Sequence, residues 1–91
     1  MKINDIEIDL TVLTIKELAM LIIQDWKKVW YGAKPYLEAL LTMEKITDKY
    51  YLDEGTGIVA YFLCNAQTWK GEVARNIKKE LNRRLKIRRV G

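Results

Sequence analysis

The groups able to do chemistry in this chain are carboxylates, lysines, tyrosines and one thiol, because its 91 residues include no histidine. Histidine is the side chain best suited to proton transfer near neutral pH and the commonest metal ligand. An enzyme built here would have to rely on groups such as Asp25, Glu38 and Glu44, and each falls on the polar side of a predicted helix. Cys64 is the single cysteine, so neither an internal disulfide nor a cysteine-pair zinc site is available. It lies in an apolar run, where a thiol behaves as a small core residue. The predicted compartment is therefore reducing.

Two short patterns resemble ligand loops and fail on inspection. Gly55-Thr56-Gly57 precedes a predicted helix, and helix N-termini attract anions. Yet Asp53 and Glu54 stand beside it, and no Gly-Lys-Ser follows. Asp48, Asp53 and Glu54 do not keep the alternating spacing of a calcium loop. No catalytic residue, metal site or cofactor is expected, and the chain is read as non-enzymatic.

Charge is the stronger signal. From Trp69 to the C-terminus there are nine basic residues: Lys70, Arg75, Lys78, Lys79, Arg83, Arg84, Lys86, Arg88 and Arg89. Against them stand Glu72 and Glu80, a net +7, which leaves −3 on residues 1–68 of a chain carrying +4. On a helix Arg75, Lys78, Lys79, Asn82 and Lys86 share a side away from Val73, Ile77 and Leu81. A row of cations on a rigid element suits phosphate. The same charges would also keep the domain in solution and complement a helix dipole at its C-terminal end. A helix-turn-helix fits poorly, because no residue from Ala66 to Thr68 serves as the turn while keeping Val73 and Ile77 buried. Any nucleic-acid contact is expected to be to backbone rather than bases. The apolar side of this helix is narrow and needed for the core, so a membrane surface ranks last.

The elements that must carry these groups follow from apolar spacing. Ile6, Ile8, Leu10 and Val12 alternate with Glu7, Asp9 and Thr11, which predicts a half-buried strand in need of a partner. Thr14-Ile15-Lys16-Glu17 reads as a capping box, opening a helix over about 15–31 with Gly32 just past its end. Its stripe of Ile15, Leu18, Ala19, Ile22, Trp26, Val29 and Trp30 is widened by Met20, Leu21 and Ile23. So wide a face predicts a central helix, or one that meets another chain. Pro35 fits the first turn of a second helix fading near Thr47 or Asp48, with Tyr36, Leu37, Leu40, Leu41, Met43 and Ile46 buried. A loop over 48–57 follows, then an apolar helix from Gly57 to Cys64.

Thr68 is the expected N-cap of a last helix whose inward stripe is Trp69, Val73, Ala74, Ile77, Leu81 and Leu85. Phase continuity from Phe62 to Ile77 also allows one long kinked helix. Gly71, which costs about 1 kcal/mol against alanine inside a helix, favours two. The tail beyond Leu85 either continues the helix or extends to pair Lys86 and Arg88 with Glu7 and Asp9.

The prediction is a single all-α domain of three to four helices with a short N-terminal strand: 1–13 extended, 14–86 the helical core and 87–91 a basic tail. Hydrophobic residues are 49% of the chain, enough for a real core. The longest apolar run, Leu18 to Ile23, is far short of the roughly 20 residues of a membrane span. With no signal-peptide pattern, a cytoplasmic location is expected. The predicted function is protein–protein interaction, with self-association into a homo-oligomer through Met20, Ile23, Trp30, Tyr31 and Tyr36. The alternative is sequence-independent nucleic-acid binding by the C-terminal basic helix. Aromatic residues at helical spacing usually fill cores, so Trp26, Trp30 and Trp69 are read first as core, with Trp30-Tyr31 as an exposed patch otherwise.

Overall fold

The computed structural model describes residues 2, 3, 5–46, 49, 50 and 53–89, and within these the side chains of 3, 49, 50, 53 and 87–89 are left aside. Thr47, Asp48 and Val90, to which the predicted helix end, loop and tail extend, lie outside the described residues, as do the side chains of Asp53, Arg88 and Arg89.

A capping box starts the first long element. Thr14 Oγ1 accepts from the Glu17 N–H at 3.1 Å, and Glu17 Oε1 accepts from the Thr14 N–H at 2.9 Å. Helix α1 then runs Ile15–Asp25 and buries Ile15, Leu18, Ala19 and Ile22. The first N–H groups of a helix have no partner within it. Here Ile15 donates to the Glu44 carbonyl at 2.9 Å and Lys16 to that of Met43 at 2.8 Å. Those carbonyls come from the segment after helix α2 (Lys34–Leu40), which carries Pro35 in its first turn. Bringing the chain back to the start of α1 ends α2 at Leu40, short of the predicted 47 or 48. Met43 is buried there all the same.

Helix α1 also stops early, and residues 27–33 form turns rather than the predicted last helical turn. The Trp26 indole stacks on Trp69 with ring centroids 5.8 Å apart and meets the edge of Phe62 at 6.3 Å. Beside it Asp25 Oδ2 accepts from Trp69 Nε1 at 2.8 Å. These contacts to the far end of the chain hold residues 25 and 26 where the helix leaves its path.

Helix α3 spans Gly55–Cys64 and α4 spans Glu72–Arg89, so two helices form and not one kinked one. Gly71 lies at φ +114°, a conformation that side chains with a Cβ rarely adopt. Thr68 falls in the turn before it and does not cap α4. Close packing of α1 with α2, α2 with α3, α3 with α4 and α4 with α1 closes the helices into a ring around one core. Phe62, Ile15, Leu18, Ile22, Leu40, Met43, Ile77, Leu81 and Val59 fill it. The radius of gyration of 12.4 Å matches the roughly 12 Å of a compact chain this long. Among the described residues the fold is an all-α bundle of four helices, with short strands attached.

Those strands differ from expectation. β1 (Lys2–Ile3) and β2 (Ile6–Glu7) pair antiparallel, and Asp5 turns between them at φ 63°. The predicted strand stops at Glu7 because Asp9 accepts from the Thr11 N–H and hydroxyl and caps a 3-10 turn over Leu10–Val12. Leu10 is buried, while Ile6 and Val12 face water. A second pair, β3 (Lys49–Tyr50) and β4 (Asp53–Glu54), occupies the predicted loop and leads directly into α3. The termini do not pair as strands, since α4 stays helical through Arg89.

Candidate interaction surfaces

The basic C-terminal helix divides by what each cation touches. Glu80 is turned inward and 6% exposed. Arg83 meets it with two donors, at 2.8 and 2.7 Å, and Arg84 Nε donates at 2.6 Å. The second Arg84 nitrogen donates to the carbonyls of Leu10 at 2.9 Å and Leu13 at 2.7 Å. Hydrogen bonds from Arg83 first, and then from Arg84, hold the Glu80 carboxyl below its ordinary range against the opposing effect of burial. Arg84 is thus a structural strut, and Arg83 is half committed, its side chain 46% exposed.

Lys78 points the other way from the predicted row. Its Nζ donates to the Trp69 carbonyl at 2.6 Å and stands 5.7 Å from the centre of the Trp69 ring. Burial, with repulsion from Lys70 second, lowers its pKa. Of the predicted row, Arg75, Lys79, Asn82 and Lys86 remain outward and exposed, with Lys70 exposed just before the helix and Glu72 exposed in its first turn. Arg88 and Arg89 continue its backbone.

The aromatic residues divide as well. Trp26 and Trp69 are core, at 7% and 2% exposure, whereas Trp30 is 44% exposed and Tyr31 74%. Trp30 and Tyr31 touch, with ring centroids 4.2 Å apart. Tyr36, half-buried against the core, stacks at 5.6 Å on Tyr61, which lies within the predicted apolar helix and is nonetheless 59% exposed. The helical period explains the miss. Gly57, Tyr61 and Cys64 fall at i, i+4 and i+7 on α3, a line opposite the buried Ile58, Val59 and Phe62.

Cys64 is therefore exposed, which corrects its reading as a core thiol. It lines a recess of 260 Å³ with Trp30, Asn65, Gln67 and Thr68. A larger groove of 730 Å³ opens one turn earlier between Pro35, Tyr36, Ala39, Glu54, Gly57, Ile58 and Tyr61. The two lie along the same line of α3. Gly32 fits under the wall of the first: a Cβ there would come 2.5 Å from Trp30 Nε1 and 3.0 Å from Asn65 Oδ1. Of the other predicted interface residues, Met20 and Ile23 share one flank of α1 and are 50% and 44% exposed, so α1 is not enclosed on all sides.

Among the described residues no three Cys, Asp or Glu side chains converge as metal ligands would, and no helix is long and apolar enough to cross a membrane. Of the three carboxylates first considered, Asp25 is engaged by Trp69, and Glu38 and Glu44 are exposed. Compared with known proteins, the chain matches no family model, no curated protein and no solved structure.

Proposed function

We propose that this chain is a non-catalytic protein-interaction module that self-associates through the aromatic surface along α3. The observation that carries the reading is the outward placement of three rings in two touching pairs: Trp30 with Tyr31, and Tyr61 on the half-buried Tyr36. Rings already held by a neighbour lose little freedom on docking, and Trp and Tyr dominate the energetics of protein interfaces.

Charge favours a second copy as the occupant. A chain of net +4 repels its copy, so a self-contact is best made where charge is sparse. Among the described residues, those lining the recess beside Trp30 are uncharged, and Glu54 is the one charged residue lining the groove beside Tyr61. A standard interface of about 800 Å² per protomer would take about an eighth of the 6331 Å² surface.

Sedimentation equilibrium across a concentration series tests this. The wild-type chain should dimerise, and Trp30→Ala with Tyr61→Ala, which removes two rings from each protomer, should weaken the dimer by at least about 30-fold, the cost of a single interface anchor. Helical circular dichroism should not change, because both rings lie outside the core. A monomer at the highest concentration overturns the proposal. If Met20→Lys with Ile23→Lys dissolves the dimer and the aromatic pair does not, the α3 surface is the wrong one.

A further inference from the structure

We infer that the outer face of α4 binds the sugar–phosphate backbone of duplex nucleic acid without reading base sequence. Between Arg75 and Lys86 this face presents Arg75, Lys79, Asn82 and Lys86 to solvent, with exposed Glu72 one turn before Arg75 and with Glu7 and Asp9 of the N-terminal segment beside Lys79 and Arg83 on its flank. The one acid in that stretch, Glu80, is folded inward and neutralised by Arg83 and Arg84. Basic groups outnumber the acids near this face because Glu80 is drawn inward, and Arg83 keeps part of its guanidinium outside.

Two simpler explanations of these cations fall short. Complementing the helix dipole accounts for Lys86 near the C-terminal end. It does not account for Arg75, the fourth residue of α4, beside the end where positive charge is unfavourable. A membrane surface would need an apolar side to bury, and on α4 Ala74, Ile77, Leu81 and Leu85 are already buried in the protein core.

The spacing suits a duplex. Arg75 and Lys86 stand about 16 Å apart along the axis at 1.5 Å per residue. That exceeds the roughly 12 Å width of the major groove, so the row can meet phosphates on both sides of one. Sequence reading is not expected. The Asn82 amide, the outward group suited to adenine, donates to the Lys78 carbonyl at 2.9 Å. Nor do α3 and α4 form a recognition unit, because residues 65–71 separate them where a helix-turn-helix uses three or four.

Fluorescence anisotropy with a labelled random-sequence 24-base-pair DNA, between 50 and 200 mM KCl, tests the inference. Contacts from Arg75, Lys79, Lys86 and Arg83 predict a logarithmic salt slope of about −3.6, or roughly a 150-fold loss of affinity over that range. Arg75→Gln, Lys79→Gln and Lys86→Gln together should reduce the slope to about −1. Lys16→Gln, Lys27→Gln and Lys28→Gln remove equal charge from exposed positions elsewhere and should leave slope and affinity in place. Equal losses from the two triple variants would reduce the effect to net charge and overturn the inference. So would absence of binding at 50 mM, or binding confined to phosphatidylserine vesicles. Sedimentation of the α4 variant separates this result from the aromatic surface, which the variant does not touch.

Discussion

Arg84 and Glu80 meet one helical turn apart on α4, with Arg84 Nε 2.6 Å from a Glu80 carboxylate oxygen. The same guanidinium donates to carbonyls 71 and 74 positions earlier in the chain, those of Leu13 and Leu10. The pair fastens the N-terminal 3-10 turn to the last helix, joining the two ends of the chain through one charge.

Arg84→Met should therefore destabilise well beyond an ordinary surface change. It leaves two carbonyls without their donor and weakens the compensation of a buried acid. Such losses cost about 2–4 kcal/mol. For a domain this size each kcal/mol lowers Tm by about 4–8 °C, so a drop of roughly 10 °C or more is expected by calorimetry. A drop under 3 °C would mean that the strut carries no weight.

Acid should act through the same cluster. The Glu80 carboxyl titrates below its ordinary value of 4.5 when folded, so the unfolded chain takes up its proton first as pH falls. Its stabilisation is complete above about pH 5 and disappears as pH drops through the lower folded value. Asp9, held down by Thr11, and Glu17, held down by Thr14, shift in the same direction. Urea midpoints should fall from pH 5 to pH 3. Glu80→Gln should start lower at pH 7 and show a shallower acid decline. Parallel curves would remove Glu80 from the explanation.

Gly71→Ala tests the break between α3 and α4. A Cβ at Gly71 meets no atom within 4 Å, so the cost is that of the backbone at φ +114°. About 1–3 kcal/mol is expected. The outcome also separates a strained turn from a weak helix, for alanine would stabilise a continuous helix. A raised Tm would count against the turn.

Cys64 should react with a thiol reagent in the folded state, one equivalent per chain and without denaturant, because it lies on the exposed line of α3. Its place in the recess beside Trp30 adds a second expectation. Labelling should slow as protein concentration rises, if copies meet across that surface. Reaction only after unfolding would return the thiol to the core.

Local chemistry was readable without the fold. The Thr14–Glu17 capping box, Pro35 in the first turn of α2, the inward stripe from Trp69 to Leu85 and the break at Gly71 each depend on neighbours a few residues away, and each is present. Helix ends were less legible. α1 stops where Trp26 and Asp25 meet Trp69, and α2 stops where residues 43 and 44 supply carbonyls to α1. Those partners are distant in sequence, and periodicity carries no trace of them.

The surfaces divide in the same way. Amino-acid order alone placed the positive charge on the last helix and the apolar residues on helical faces, because both depend only on residue type and the 3.6-residue turn. Tertiary packing decided that Arg84 serves as a strut, that Lys78 turns back onto Trp69, and that Tyr61 and Cys64 face outward. An apolar run has no outside until other helices cover one of its sides. A cation has no role until an acid or a carbonyl comes within reach.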